Sequence, residues 1–186
     1  LKYANMGGNY HTTRYSLLCR VLEGEKSVKH CKDMLLISFD GIFRYVSIMT
    51  WKGKFSASDE IRARNFICKF SELLFEDGNC GFYTCRMSEN YRMMARAYKA
   101  LGKTEEMFEC LEKAADLSIK FDTMDAEGEY TAFMIKGVKF GGCYKDYTAN
   151  DSGLLAKELK GKRYSDFEDD PRLNAIIEKL APIATL

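Results

Sequence analysis

Proline is almost missing from this chain: among 186 residues only Pro171 and Pro182 occur. Nothing before residue 171 can therefore break a helix by losing a backbone donor and clashing with the turn below. Histidine is as scarce, with His11 and His30 alone, so few side chains titrate near neutral pH and serve as general bases. Cys-x-x-Cys spacing is absent. The seven cysteines are Cys19, Cys31, Cys68, Cys80, Cys85, Cys110 and Cys143, and the closest pair, Cys80 and Cys85, has four residues between. An odd count at irregular spacing is unlike a secreted disulfide framework or a zinc site. It predicts reduced thiols used as small apolar side chains. No run of uninterrupted apolar residues reaches the length of a membrane span, and no signal peptide is visible, so a cytoplasmic location is expected. An excess of basic charge is lacking too: 28 Lys and Arg oppose 27 Asp and Glu, for a net charge of +1. A domain that grips nucleic acid carries a basic footprint, and this stretch does not.

Catalytic signatures are likewise missing. There is no paired carboxylate, no Ser/His/Asp arrangement, no phosphate-binding glycine loop and no H-E-x-x-H. Gly7-Gly8 lacks the strand and helix context of a nucleotide loop. Asp116, Asp122, Asp125, Glu127 and Glu129 are scattered acids of the kind that solvate helix faces. No enzyme activity, cofactor or metal is expected. What is present is 46% apolar and 30% charged residues, the balance of a folded globular chain. The chain begins at Leu1 and not at Met, so it is expected to be part of a longer or trimmed protein.

The most patterned stretch is Ser88 to Phe121. Tyr91, Met94, Ala95, Tyr98, Gly102, Met107, Leu111 and Ala114 fall at tetratricopeptide-repeat spacings. Tyr91, Met94/Ala95 and Tyr98 share one helix face. Gly102 suits the left-handed residue after a helix. Thr104 is placed to cap the next helix, and Glu105 and Glu106 in its first turn suit the helix dipole. Met107, Leu111, Ala114 and Ser118 continue the inward stripe. Met107 replaces the alanine usual there, and Ile119 stands where the repeat carries proline, so the helix is expected to run on through Phe121. Such a unit cannot bury its apolar face alone, which predicts similar helix pairs around it.

Helices are accordingly expected at Tyr10–Leu22 and Lys26–Phe39, hinged at Gly24. In the second of these Val28, Cys31, Leu35 and Ser38 are expected to face inward. Gly41–Trp51 and Asp59–Glu76 are expected as a second pair, with Ser58 as a cap. Ile61, Phe66, Ile67, Phe70, Leu73 and Leu74 supply the apolar face of the second member. The fold class expected is all-α: one domain over 1–186, a right-handed solenoid of tetratricopeptide-like pairs at about 10–39, 41–76, 82–121 and 126–160. In the fourth pair Ala126–Phe140 is the first helix and Leu154–Leu159 a short later one. A capping helix at 171–181 completes the chain, opened by Asp170 as cap and Pro171 at the first helical position.

Longer stretches carry a family resemblance. They are Glu76-Asp77-Gly78-Asn79-Cys80-Gly81-Phe82-Tyr83-Thr84-Cys85-Arg86, Leu111-Glu112-Lys113-Ala114-Ala115, Gly128-Glu129-Tyr130-Thr131, and the tail from Lys160-Gly161-Lys162-Arg163-Tyr164 to Asp169-Asp170-Pro171-Arg172-Leu173. In order and spacing they resemble the C-terminal repeat region of Firmicutes-type lambda-repressor-like (XRE family) helix-turn-helix regulators, best from about residue 70 onward. The resemblance implies an upstream DNA-reading domain and a repeat region that dimerises and senses a peptide or small effector. The alternative is a free-standing peptide-binding adaptor or scaffold with no role at DNA. The gene sequence upstream of Leu1 separates the two.

In a solenoid of this kind the first helix of each pair lines the concave groove. Glu89, Arg92, Arg96 and Lys99 are the candidate ligand-binding residues of the clear repeat, and Phe133 and Lys136 those of the next pair. Arg92, Arg96 and Lys99 form a basic stripe that could hold a carboxylate. The asparagine of a carboxylate clamp would fall at Met93, which argues against that binding mode. Tyr91 and Tyr98 are assigned to the core. The expected partners are a second copy of the chain and the effector, with DNA reached only through the upstream domain and no membrane contact.

Overall fold

A computed structural model describes Leu18, residues 21–140 and residues 150–185. Its helices are α1 (Gly24–Lys52), α2 (Ala57–Leu74), α3 (Tyr83–Ala100), α4 (Thr104–Thr123), α5 (Asp151–Leu159) and α6 (Pro171–Leu180). Short 3-10 turns at Phe133–Ile135 and Lys162–Phe167 complete the order. The chain is all-helical among the described residues, apart from one antiparallel bridge between Glu129 and Lys139.

The first correction concerns α1. The two expected helices Lys26–Phe39 and Gly41–Trp51 are one helix of 29 residues. Glycine at position 41 weakens a helix by only about 1 kcal/mol and does not end it. Asp40 and Arg44 pair across it at 2.7 Å. Fusion also joins two apolar segments, so α1 is long and apolar enough by length and composition to cross a bilayer. The helix expected at Tyr10–Leu22 lies mostly outside the described residues. The inward face is corrected too. Leu36, Phe39, Phe43 and Thr50 are buried on α1, while Val28, Cys31, Leu35 and Ser38 are exposed. On α2, Ile61 and Ile67 are buried, but Phe66 and Leu73 are exposed.

The cap of α2 is Ser56 and not Ser58: its Oγ accepts from the Asp59 amide at 3.1 Å. Ser58 already lies in the first turn. The hairpin α3–α4 follows the sequence closely. Gly102 takes φ +69, and the Lys103 amide reaches back to the Tyr98 carbonyl at 3.0 Å, closing α3 with a left-handed cap. Thr104 is inside α4 and makes no cap hydrogen bond; the N-cap position is Lys103. Met94, Ala95, Met107, Leu111, Ala114 and Ser118 are all buried. The five apolar ones belong to the principal core, which Ile67 of α2, Leu155 and Leu159 of α5, and Leu173, Ile176 and Leu180 of α6 also enter. Each large side chain buried there contributes roughly 1.5–3 kcal/mol by area.

The second correction concerns 126–140. No helix forms there beyond the 3-10 turn. Tyr130 donates its amide to the Val138 carbonyl, Gly137 to Tyr130, and Phe140 to Gly128. The stretch is a hairpin-like insert that reverses through the 3-10 turn Phe133–Ile135, with Gly137 at φ +84 on the returning arm. Tyr130, Ala132 and Ile135 bury against Leu36, Phe39, Phe75 and Tyr83. The helix-spaced apolar residues Phe133 and Met134 point outward. Asn79 ties the insert to the α2–α3 turn through the Glu129 carbonyl and Thr131, and Asp77 accepts from Thr131. The stretch 126–160 therefore does not form the expected helix pair; the insert is followed by α5 and α6, and α6 covers the expected capping helix at 171–181. Asp170 caps it as expected, accepting from the Arg172 amide at 2.9 Å.

Candidate ligand cleft

The basic stripe of α3 turns toward α5. Arg92 donates through Nε and Nη2 to Glu158 Oε2 at 3.1 and 2.6 Å. Arg96 donates through Nε to the other oxygen, Oε1, at 2.7 Å, and Arg163 Nε stands 3.8 Å from it. Lys99 pairs with Asp166 at 2.5 Å, donates to the Arg163 carbonyl and lies over the rings of Tyr164 and Phe167. Three of the predicted ligand-binding cations therefore engage this chain's own acids. The stripe fastens α5 and the 3-10 turn after it to α3.

Glu158 is 11% exposed. Burial by itself would raise its carboxyl, but the hydrogen bonds and charges of Arg92 and Arg96 outweigh it and hold the group below its ordinary range. Asp151 goes the other way. Burial raises it above its ordinary value, against hydrogen bonds from Ser118 and Ser88 and the charge of Arg92, with Asp122 adding to the rise. Its Oδ2 accepts from Ser118 at 2.7 Å, and Ser118 in turn meets Ser88 at 2.8 Å. Behind it, the Asp122 carboxylate accepts from the amides of Asp151 and Ser152 at 3.2 and 2.8 Å. Those amides have no partner within α5, and a carboxylate there also suits the helix dipole. Asn150 accepts from the Gly153 and Thr185 amides and donates to the Ile183 carbonyl, which straps the C-terminal tail beside the start of α5.

Between α3 and this junction opens a cleft of about 760 Å³. Cys85, Arg86, Glu89 and Met93 form its α3 wall, Phe121 and Asp122 its end, and Leu154 its far side. Arg92 and Arg96 edge it while bound to Glu158. A smaller hollow of about 220 Å³ lies between α1 and α3 and includes Arg44, Ile48 and Trp51. Arg86 and Glu89 line both. They stand 3.9 Å apart and each is a little under half exposed, so both remain accessible to a solute.

Of the predicted residues, Glu89, Arg92 and Arg96 line the cleft, and Lys99 sits beyond it against Asp166. Phe133 and Lys136 do not. They belong to the insert, where Phe133 is 77% exposed and Lys136 offers its carbonyl to Lys32 at 2.7 Å. Arg86 and Met93 could have been found in sequence, because 86, 89, 93 and 96 share a helix face. Glu158, Asp151 and Asp122 carried no such signal, since their partners are remote in sequence. Among the described residues no group of three or more His, Cys, Asp or Glu could hold a metal ion. Set against protein-family models, curated proteins and solved structures, the chain matches none of them.

Proposed function

We propose that this chain is the effector-sensing and dimerising part of a bacterial transcriptional regulator, a tetratricopeptide-like stack of helix pairs. On this reading the cleft between α3 and α5 takes a peptide or small molecule. Occupancy modulates DNA binding by a helix-turn-helix domain outside the chain. The observation that carries the reading is the cleft itself. It has the volume of a small-ligand site. It joins an apolar lining (Met93, Phe121 and Leu154) to a few polar groups (Arg86, Glu89 and the edges of Arg92 and Arg96).

The junction also suits a switch. Across the cleft, α5 is tied to α3 through Arg92, Arg96 and Glu158, and polar ties can exchange partners without undoing an apolar core. A ligand acid that competes with Glu158 for the arginines would bind one setting of α5 better than another, and so shift the population between them. The test is thermal unfolding of the chain with and without a peptide and metabolite fraction from bacterial cells. Wild type is expected to be stabilised. Met93→Trp, which pushes a larger ring into the cleft from its α3 wall, is expected to melt as the unliganded chain does and to ignore the fraction. Equal responses from both proteins would contradict the cleft as the site.

A further inference from the structure

The row Val28, Cys31, Leu35 and Ser38 has the pattern of a buried face, yet it is exposed. It continues at the same alternation of three and four residues through Ile42, which is half-buried against the core, to the exposed Tyr45 and Met49. That is the seam spacing of a two-stranded coiled coil. Val28 is 55% exposed, Leu35 37%, Tyr45 67% and Met49 57%. No residue of the row is charged. The charges Lys29, Asp33, Asp40 and Arg44 lie on the far side of α1 from the row and are tied along the helix, Lys29 to Asp33 and Asp40 to Arg44. The adjoining side of α1, roughly 100° around the helix by its 3.6-residue period, carries Leu36, Phe39 and Phe43 into the protein core. An apolar stripe wider than the face this core covers calls for a further cover.

We infer that this row is a self-association surface, on which α1 packs against α1 of a second copy of the chain. The inference rests on the dimer in the proposed function and names its interface. From Val28 to Met49 the row spans ~33 Å of helix. Together with the outward Phe66 and Leu73 of α2, it offers on the order of 800 Å² per copy, the area a stable interface requires. Small side chains at Cys31 and Ser38 let two helices approach closely. A net charge of +1 sets up little repulsion between copies. A two-fold pairing of identical faces closes on itself and leaves no sticky end. No residue of α1 lines the cleft between α3 and α5, so the dimer and an occupied cleft are compatible.

The experiment is sedimentation velocity across a dilution series of wild type, Leu35→Glu, Tyr45→Glu and Trp51→Glu. Helix content is checked for each, and lipid vesicles of mixed neutral and anionic composition are run in parallel. Wild type is expected to be a dimer. Tyr45→Glu, at a mostly exposed position that the fold tolerates, is expected to be a folded monomer, with a dissociation constant raised ~30-fold or more, as for loss of an interface hot spot. Leu35→Glu is expected to follow it, and Trp51→Glu to stay dimeric. A dimer indifferent to Tyr45→Glu overturns this interface but keeps the dimer. A monomeric wild type overturns both, and a monomer that binds vesicles through α1 assigns the row to a lipid surface instead.

Discussion

Arg92 of α3 meets Glu158 of α5 side-on, its Nε and Nη2 both on Oε2, at 3.1 and 2.6 Å. With Arg96 on the second oxygen, one carboxylate is held by two guanidinium groups from a single helix face. All three side chains are largely buried, at 11%, 15% and 26% exposure for Glu158, Arg92 and Arg96. That is the principal polar tie across the cleft.

Glu158→Gln is therefore expected to cost about 2–3 kcal/mol in urea unfolding, since it leaves two sheltered cations without their anion. Adding Arg92→Met is expected to return part of that loss. The Glu158 carboxyl is held below its ordinary value of 4.5. Its contribution is fully present above pH 4.5 and is lost as the pH falls through the folded-state value. The variant is expected to lack that acid-sensitive component.

Asp151 is expected to behave with the opposite sign. Its carboxyl is raised above the ordinary value of 3.8 by burial, so folding favours its protonated form. This component is fully present below pH 3.8 and is lost as the pH rises through the folded-state value. Asp151→Asn keeps an acceptor for Ser118 and removes the buried charge. It is expected to change stability by less than about 1 kcal/mol at pH 7, and a loss comparable to that of Glu158→Gln would contradict this.

The hairpin α3–α4 was legible in the sequence because independent signals coincided there. Tyr91 and Tyr98 mark a face, Gly102 supplies the left-handed turn, and Met107 and Leu111 resume the stripe. The long α1 was not legible, because Gly41 reads as a break and apolar residues lie on more than one side. The insert misled for a related reason. Tyr130, Phe133, Met134 and Val138 have helical spacing, but backbone pairing of Tyr130 with Val138 and Gly137 fixes a hairpin-like insert. The stripe Arg92, Arg96 and Lys99 was visible, but its occupants were not. Glu158 and Asp166 are ordinary acids until the fold sets them against it.

Gly81→Ala is expected to strain the seat of the insert on the α2–α3 turn. Gly81 has φ +48, and an added Cβ would stand 2.5 Å from a Phe140 ring atom and 2.7 Å from one of Tyr130. A loss of about 1–3 kcal/mol is expected. Hydrogen exchange should show protection lost at the amides of Tyr130 and Phe140 and retained in α3 and α4. Unchanged protection at those two amides would contradict the close approach of the insert to Gly81.

Ile135→Ala tests whether the insert belongs to the folded core. Ile135 is fully buried among Leu36, Phe39 and Tyr83. The expected cost is about 2–5 kcal/mol by equilibrium unfolding. A change within about 0.5 kcal/mol would place the insert outside the cooperative unit.

The most direct test of the proposed sensor is native mass spectrometry of the chain purified gently from a bacterial host, wild type beside Met93→Trp. The expected result is a dimer in which wild type carries a co-purified peptide or small molecule and Met93→Trp carries none. A bare wild-type chain, or the same passenger on both proteins, would contradict a ligand seated in the cleft between α3 and α5.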